Sequence, residues 1–279
     1  MLNKRSENML WEEIIEKTDM LGAPRKNVFQ EEMQKAVLTA LSIKGCFNNL
    51  VFQGGTALRL FYGNPRFSED IDLVLKEGEK GYDISSYLPQ IEQLVHNTFP
   101  FLGSVEVKTQ KNESDLQRYN LRTRSDGPDQ NLRLHIELAF TPSYRNVPKI
   151  LDFPPIQPVV SVEETSEILA DKVCALALRS YLKGRDLWDI YYLNKERSIE
   201  IEWGLVHRKV QDYDVTISEL EERFERARKN IEDDGVSILR NELERFLPKH
   251  VLDNYSASSD LILGSVVDLI SQYDSEQTG

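Results

Sequence analysis

Apolar residues recur at helical spacing over residues 7–21 and 28–46, which predicts two opening helices separated by the breaker Pro24. The period then changes. A short apolar run at 50–53 reads as a strand and is followed by Gly54-Gly55-Thr56. Leu58, Phe61 and Tyr62 restore the i, i+3, i+4 pattern over 57–62, with Thr56 as the expected N-cap. Residues 71–75 read as a strand and 85–99 as a helix. Three strand-like runs follow at 104–110, 116–124 and 132–140, the last two joined by the turn Ser125-Asp126-Gly127-Pro128. The segment NVPKILDFPPIQPVV holds Pro148, Pro154, Pro155 and Pro158, cannot be a helix interior, and is the expected domain boundary. Beyond it the spacing is helical at 163–182, 185–194, 202–211, 218–232, 236–247 and 259–273. The fold class expected from this order is α+β: a mixed sheet flanked by helices over residues 1–155, then an all-helical lobe over 156–279.

Composition narrows the class. With 279 residues, 40% hydrophobic and 29% charged, the chain can bury a sizeable core and is neither low-complexity nor fibrous. No apolar run approaches the roughly 18 residues a membrane-spanning helix needs, and the opening MLNKRSENMLWEE is too charged for a secretion signal. Cys46 and Cys174 are too few for a disulfide framework or a thiolate metal site, which fits a reducing compartment and a cytoplasmic location. The net charge is −12, and from Asp212 onward 16 acidic residues face 7 basic ones. The acidity that would repel a nucleic acid therefore sits mostly in the C-terminal quarter. Residues 101–150 are slightly basic, through Lys108, Lys111, Arg118, Arg122, Arg124, Arg133, Arg145 and Lys149. A polyanionic substrate is permitted but not required.

The chemistry is concentrated in GGTALRLFYGNPRFSEDIDLVL, residues 54–75. On a strand, Asp70 and Asp72 point to one face and stand roughly 6.6–6.8 Å apart along the chain, so two carboxylates can serve the same divalent ions. Gly54, Gly55 and Thr56 place a tight turn and a helix start ahead of them, and free N–H groups at such a start favour phosphate. Carboxylates for metal beside an anion-binding helix start describe a site for a metal–polyphosphate complex. Arg66 and Ser68, in the loop before the aspartates, are further candidates for phosphate contact. A two-metal phosphoryl-transfer site usually wants a third carboxylate. Glu137 is the one acidic residue on the polar face of 132–140, beside Arg133 and His135, and is the candidate. A surface ion pair of Glu137 with Arg133 competes with that role, and His135 reads as a polar neighbour rather than a ligand.

These residues resemble the nucleotidyltransferase superfamily of the polymerase-beta type: Gly-Gly-Ser/Thr, a spacer, Asp-x-Asp, and a later strand carboxylate. More closely, Gly54-Gly55-Thr56-Ala57-Leu58 with Arg66-Phe67-Ser68-Glu69-Asp70-Ile71-Asp72-Leu73 is similar to the AbiEii/AbiGii toxin nucleotidyltransferases, the MenT-like group. ILADKVCAL at 168–176 resembles that family's Lys motif, and RDLWDI at 185–190 its Arg-Asp-x-x-Asp motif. The resemblance implies a toxin that uses an NTP and transfers its nucleotide to RNA, for some members the tRNA 3′ end, and that has an antitoxin partner. It implies Mg²⁺, two ions, on Asp70, Asp72 and Glu137. Gly55, Thr56 and Ser68 would lie around the triphosphate, Lys172 at the nucleotide phosphates, and Asp186 or Asp189 on the helical side of the site. Lys172, Arg179 and Lys183 are also expected close to one stripe of the 163–182 helix. Two structural readings compete there: an i, i+4 salt bridge of Arg185 with Asp189, and Asp186 as a helix cap. Transfer to a small molecule or a protein, and a non-enzymatic nucleotide-binding module, remain alternative functions.

Overall fold

The computed structural model describes residues 9–127, 130–255 and 257–277. The charged residues 1–8, which include the start of the first expected helix, and Pro128 of the expected turn lie outside the described residues. The chain divides into two units: 1–63 with 67–163, and 64–66 with 164–279.

The first unit opens with α1 (Trp11–Leu21), closed by Gly22 at φ 58°, and α2 (Arg25–Ile43), which starts immediately after Pro24. Its seven strands are β1 (Leu50–Gln53), β2 (Ile71–Lys76), β3 (Ser104–Asn112), β4 (Leu116–Arg124), β5 (Arg133–Ser143), β6 (Asn146–Ile150) and β7 (Val159–Glu163). They form one mixed sheet in the order β3-β4-β5-β2-β1-β7-β6. β2 runs parallel to β5 and antiparallel to β1, and β1 runs parallel to β7. Alternation along β5 sends Leu134, Ile136 and Leu138 into the core and leaves Arg133, His135 and Glu137 on the opposite face. Between β1 and β2 lies α3 (Gly54–Tyr62), and between β2 and β3 lies α4 (Leu88–Thr98). α2 packs on α1 and α4 and is buried on almost every side from Val28 to Leu41. Its Phe29 joins Trp11, Phe99 and Phe101 in a cluster with ring centroids 5.3–6.0 Å apart.

Two strands lie in or just after the proline-rich segment and are not expected from the pattern. β6 carries Pro148, which a sheet edge tolerates, and β6 is the terminal strand of the order. β7 lies inside the segment expected to be linker and helix start, so the first unit ends at Glu163 rather than at residue 155.

The second unit is helical: α5 (Thr165–Leu178), α6 (Gly184–Tyr191), α7 (Trp203–Gln211), α8 (Ile217–Phe246), α9 (Lys249–Tyr255) and α10 (Ser259–Gln277). A single π-turn, Tyr192–Glu196, follows α6. The core centres on Trp203, Phe224 and Tyr273, with ring centroids 5.2–6.0 Å apart. α8 is one 30-residue helix where two were expected. Its interior Gly235 lets α10 approach: a Cβ there would stand 3.1 Å from Leu263 Cδ1. Among the described residues no helix is long and apolar enough to cross a membrane.

Candidate active site

The first unit gathers seven of the expected residues on one side of the β2–β5 pair. Asp72 is the register partner of Glu137, so the two carboxylates stand side by side on neighbouring strands. One step back, Asp70 Oδ1 lies 3.2 Å from His135 Nδ1. All are partly open to solvent, with Asp70, His135 and Glu137 side chains 29–32% exposed.

Gly54, the residue that follows the end of β1, comes next to them. Its φ of 80° lies in the left-handed region, where a Cβ is penalised, and a Cβ built there would fall 2.6 Å from Asp72 Oδ2. The residue type is set twice, by backbone conformation and by the carboxylate against it. α3 begins at Gly54, two residues before the expected N-cap. Thr56 is therefore inside the helix and fully buried, and its hydroxyl donates to the Asp70 carbonyl at 2.5 Å instead of capping.

The loop ahead of Asp70 is held by residues that pattern reading passed over. Gln34 Nε2 donates to the Ser68 carbonyl at 2.9 Å, and Gln30 Nε2 to the Glu69 carbonyl at 2.7 Å. With Thr56, three side chains hold the carbonyls of three successive residues, 68, 69 and 70. Gln30 and Gln34 are one helical turn apart on α2 and almost completely buried. Their available signal was the pair of amide side chains at i, i+4 in a helix that is otherwise buried all round.

Glu137 does not pair with Arg133. Its carboxylate meets Arg118 Nε across β4–β5, at 2.8 Å, because those two are register partners. Among the described residues, no three His, Cys, Asp or Glu side chains converge closely enough to hold an ion alone. The donor set nonetheless fits Mg²⁺. That cation is held by one or two hard carboxylates completed by substrate phosphates and water, and Asp70 and Asp72 supply such a pair beside a backbone with no Cβ in the way.

The remaining four expected residues form a cluster in the second unit. Asp189 is fully buried and takes Arg66 in fork geometry (Nε–Oδ1 3.0 Å, Nη2–Oδ2 2.8 Å), Lys172 Nζ at 3.0 Å, and the Asn64 amide at 2.9 Å. Trp188 Nε1 donates to Asn64 Oδ1 at 2.9 Å. Burial alone would raise the Asp189 pKa, but Arg66 and Lys172 outweigh it and hold the carboxyl down at about 2. Lys172 also bonds Asp186 Oδ1 at 2.9 Å, and Arg179 takes the other Asp186 oxygen. Burial, with Arg66 nearby, pushes the Lys172 pKa below its ordinary value despite Asp189.

Two expectations change here. Arg66, expected at phosphate, is 1% exposed and committed to Asp189. The stripe of Lys172, Arg179 and Lys183 does not form, because α5 stops at Leu178; Arg179 instead turns back to Asp186. Arg185 pairs with Glu242 at 3.1 Å, not with Asp189.

A family model described as nucleotidyl transferase AbiEii toxin, type IV TA (toxin–antitoxin) system, matches residues 36–260. Among solved structures, JHP933 from Helicobacter pylori is 20% identical over 92% of this chain and 96% of its own, with a TM-score of 0.59. A second H. pylori protein, described provisionally as a nucleotidyltransferase, is 21% identical over 89% of this chain and 96% of its own, at 0.55. These two share the fold. No curated protein matched.

Proposed function

The chain belongs to the AbiEii nucleotidyl transferase toxin family, and on that premise we propose that it moves an NMP from an NTP onto an RNA hydroxyl, the tRNA 3′ end included, in a Mg²⁺-dependent reaction. The observation that carries this reading is the approach of Gly54 to the Asp72 carboxylate at the start of α3, with Asp70 on the same face.

Asp70 and Asp72 would hold the metal. Bound Mg²⁺, two ions in the expected arrangement, would neutralise triphosphate charge and draw electron density from the α-phosphorus. The rest is the chain's own work. Gly54 and Gly55 let phosphate oxygens approach the backbone, and the N–H groups opening α3 face negative charge at the positive end of the helix dipole. Ser68 sits in the loop held by Gln34 and offers a hydroxyl near the phosphates. Glu137, held by Arg118, is the third carboxylate of the face and stands beside Asp72 on the neighbouring strand. The clamp on residues 68–70 keeps the Asp70 backbone from shifting, which matters because the reaction is mostly positioning and charge stabilisation. In the helical unit, Lys172 enters as the nucleotide-phosphate contact the resemblance assigns, and Asp189, buried among its partners, as the residue that orients it. An antitoxin is the partner such a toxin requires.

The test is incubation of the protein with each labelled NTP, Mg²⁺ and separate RNA and protein pools. Label on RNA with release of pyrophosphate supports the reading; label on protein alone rejects the RNA acceptor. Lys172→Ala should raise the KM for NTP and also lower the melting temperature, because the buried Asp186 and Asp189 lose a cationic partner; an unchanged KM in the folded variant removes Lys172 from nucleotide contact.

A further inference from the structure

The face that carries Asp70 and Asp72 continues outward across β5, β4 and β3. Register puts Lys108, Asn120 and His135 in one row, and Glu106, Arg122 and Arg133 in the next, with Arg124 beyond. Lys108 is neutralised by Glu106 at 2.7 Å, Lys111 by Glu113 at 3.2 Å, and Arg118 by Glu137. Arg122, Arg124 and Arg133 are exposed and, among the described residues, have no side-chain ion pair or hydrogen bond; Glu106, the register partner of Arg122, feels the charge of Arg122 and Arg124.

Arg122 and Arg133 are direct register partners. Like charges opposite each other on neighbouring strands repel, so this pairing costs the free protein stability and an anion between the two would relieve it. A second peculiarity lies one row nearer the aspartates. Asn120 is only 7% exposed, and its Oδ1 has no hydrogen-bond partner among the described residues. A buried acceptor left unpaired calls for a donor from elsewhere.

We propose that this face is the track of the acceptor strand. A phosphodiester sits between Arg122 and Arg133, Arg124 meets the next phosphate outward, and Asn120 Oδ1 accepts from a ribose 2′-hydroxyl on the way to the carboxylates. The occupant is single-stranded RNA. Three exposed arginines that make no close ion pair, with the nearby Glu106 already bonded to Lys108, suit a polyanion, and the unpaired acceptor suits the one backbone donor that RNA has and DNA lacks. The inference rests on the RNA-acceptor reading of the site and adds where the acceptor lies.

The experiment measures binding of a labelled single-stranded RNA, and of the deoxy strand of the same sequence, to the full chain and to the Arg122→Ala/Arg133→Ala variant across a salt series. A thermal melt with NTP and Mg²⁺ runs alongside. The variant should bind RNA on the order of tenfold more weakly, with a salt slope lowered by about 0.7 per lost contact, while it melts no lower than the parent, the cross-strand repulsion being gone, and responds to NTP as the parent does. Asn120→Ala should bring RNA and DNA affinities together. Parental RNA affinity and slope in the double variant overturn the track. Equal RNA and DNA affinities in the parent overturn the role of Asn120. Loss of binding to an acidic protein but not to RNA would reassign the face to a protein partner and overturn the proposal. If the parent labels no acceptor yet binds RNA through these arginines, the transferase reading fails and the track stands.

Discussion

At the scale of single residues, Gly54 and Asp189 behave in opposite ways. Gly54 leaves space and Asp189 has none left. Gly54→Ala places a Cβ in the left-handed region, costing about 1–2 kcal/mol, and drives it against Asp72 Oδ2. The expected result is transfer slowed by on the order of tenfold or more, read as kcat beside a thermal melt; an unchanged kcat would show that the Asp72 geometry does not matter. Asp70→Asn and Asp72→Asn should each cost at least about 10²-fold in kcat with the fold intact, as expected where charge stabilisation dominates. Glu137→Gln should cost less, because Arg118 already occupies that carboxylate. Asp189 contributes to acid stability. Its folded pKa of about 2 lies below the ordinary value near 3.8, so folding favours the charged form. The stability it contributes is present above about pH 4 and is lost as pH falls toward 2. Asp189→Asn should lower stability at neutral pH by about 3–5 kcal/mol, since it strips the buried Arg66 and Lys172 of their shared charge. Its melting temperature should also fall less steeply over that acid range, and a parental acid slope would contradict the assignment.

At the scale of elements, the hydrophobic pattern located the helices and most strands, and its misses have particular causes. Pro148 disguised an edge strand, β6. Gly235 falls between the expected helical runs 218–232 and 236–247 but is a packing residue inside α8. Gln30 and Gln34 give no signal in sequence because an amide in a helix says nothing until its carbonyl partners are known, and those lie 39 and 34 residues away. The aspartates and glycines stand out as candidates because they are closely spaced within one short segment. Arg66 was misread for a related reason: sequence shows that a charge exists in a loop, not that Asp189, 123 residues on, neutralises it. The clamp on residues 68–70 predicts that Gln34→Met leaves a buried carbonyl unpaired. That should cost about 1–3 kcal/mol and lower kcat more than it raises the KM for NTP. A variant as active as the parent would make the clamp purely structural. Gly184→Ala should destabilise the helical unit by about 1–3 kcal/mol, because the new Cβ would lie 2.7 Å from the Ile238 carbonyl oxygen.

At the scale of the molecule, an acidic chain of net charge −12 keeps three exposed arginines, none in a close ion pair, on the sheet face that also bears the Asp-x-Asp pair. The acidity that dominates composition sits mainly beyond Asp212, in the helical unit, so the total charge hides a local one. Only the register of β3, β4 and β5 shows which basic residues share a face. The boundary was read eight residues early because β7 returns to the sheet after a proline-rich loop. The account stands or falls on one measurement: transfer of label from an α-labelled NTP to RNA by the full chain, with Mg²⁺ present or chelated, in the parent and in Asp72→Asn. Labelled RNA that disappears on chelation and in the variant is the predicted result. RNA labelled equally by the variant would contradict it.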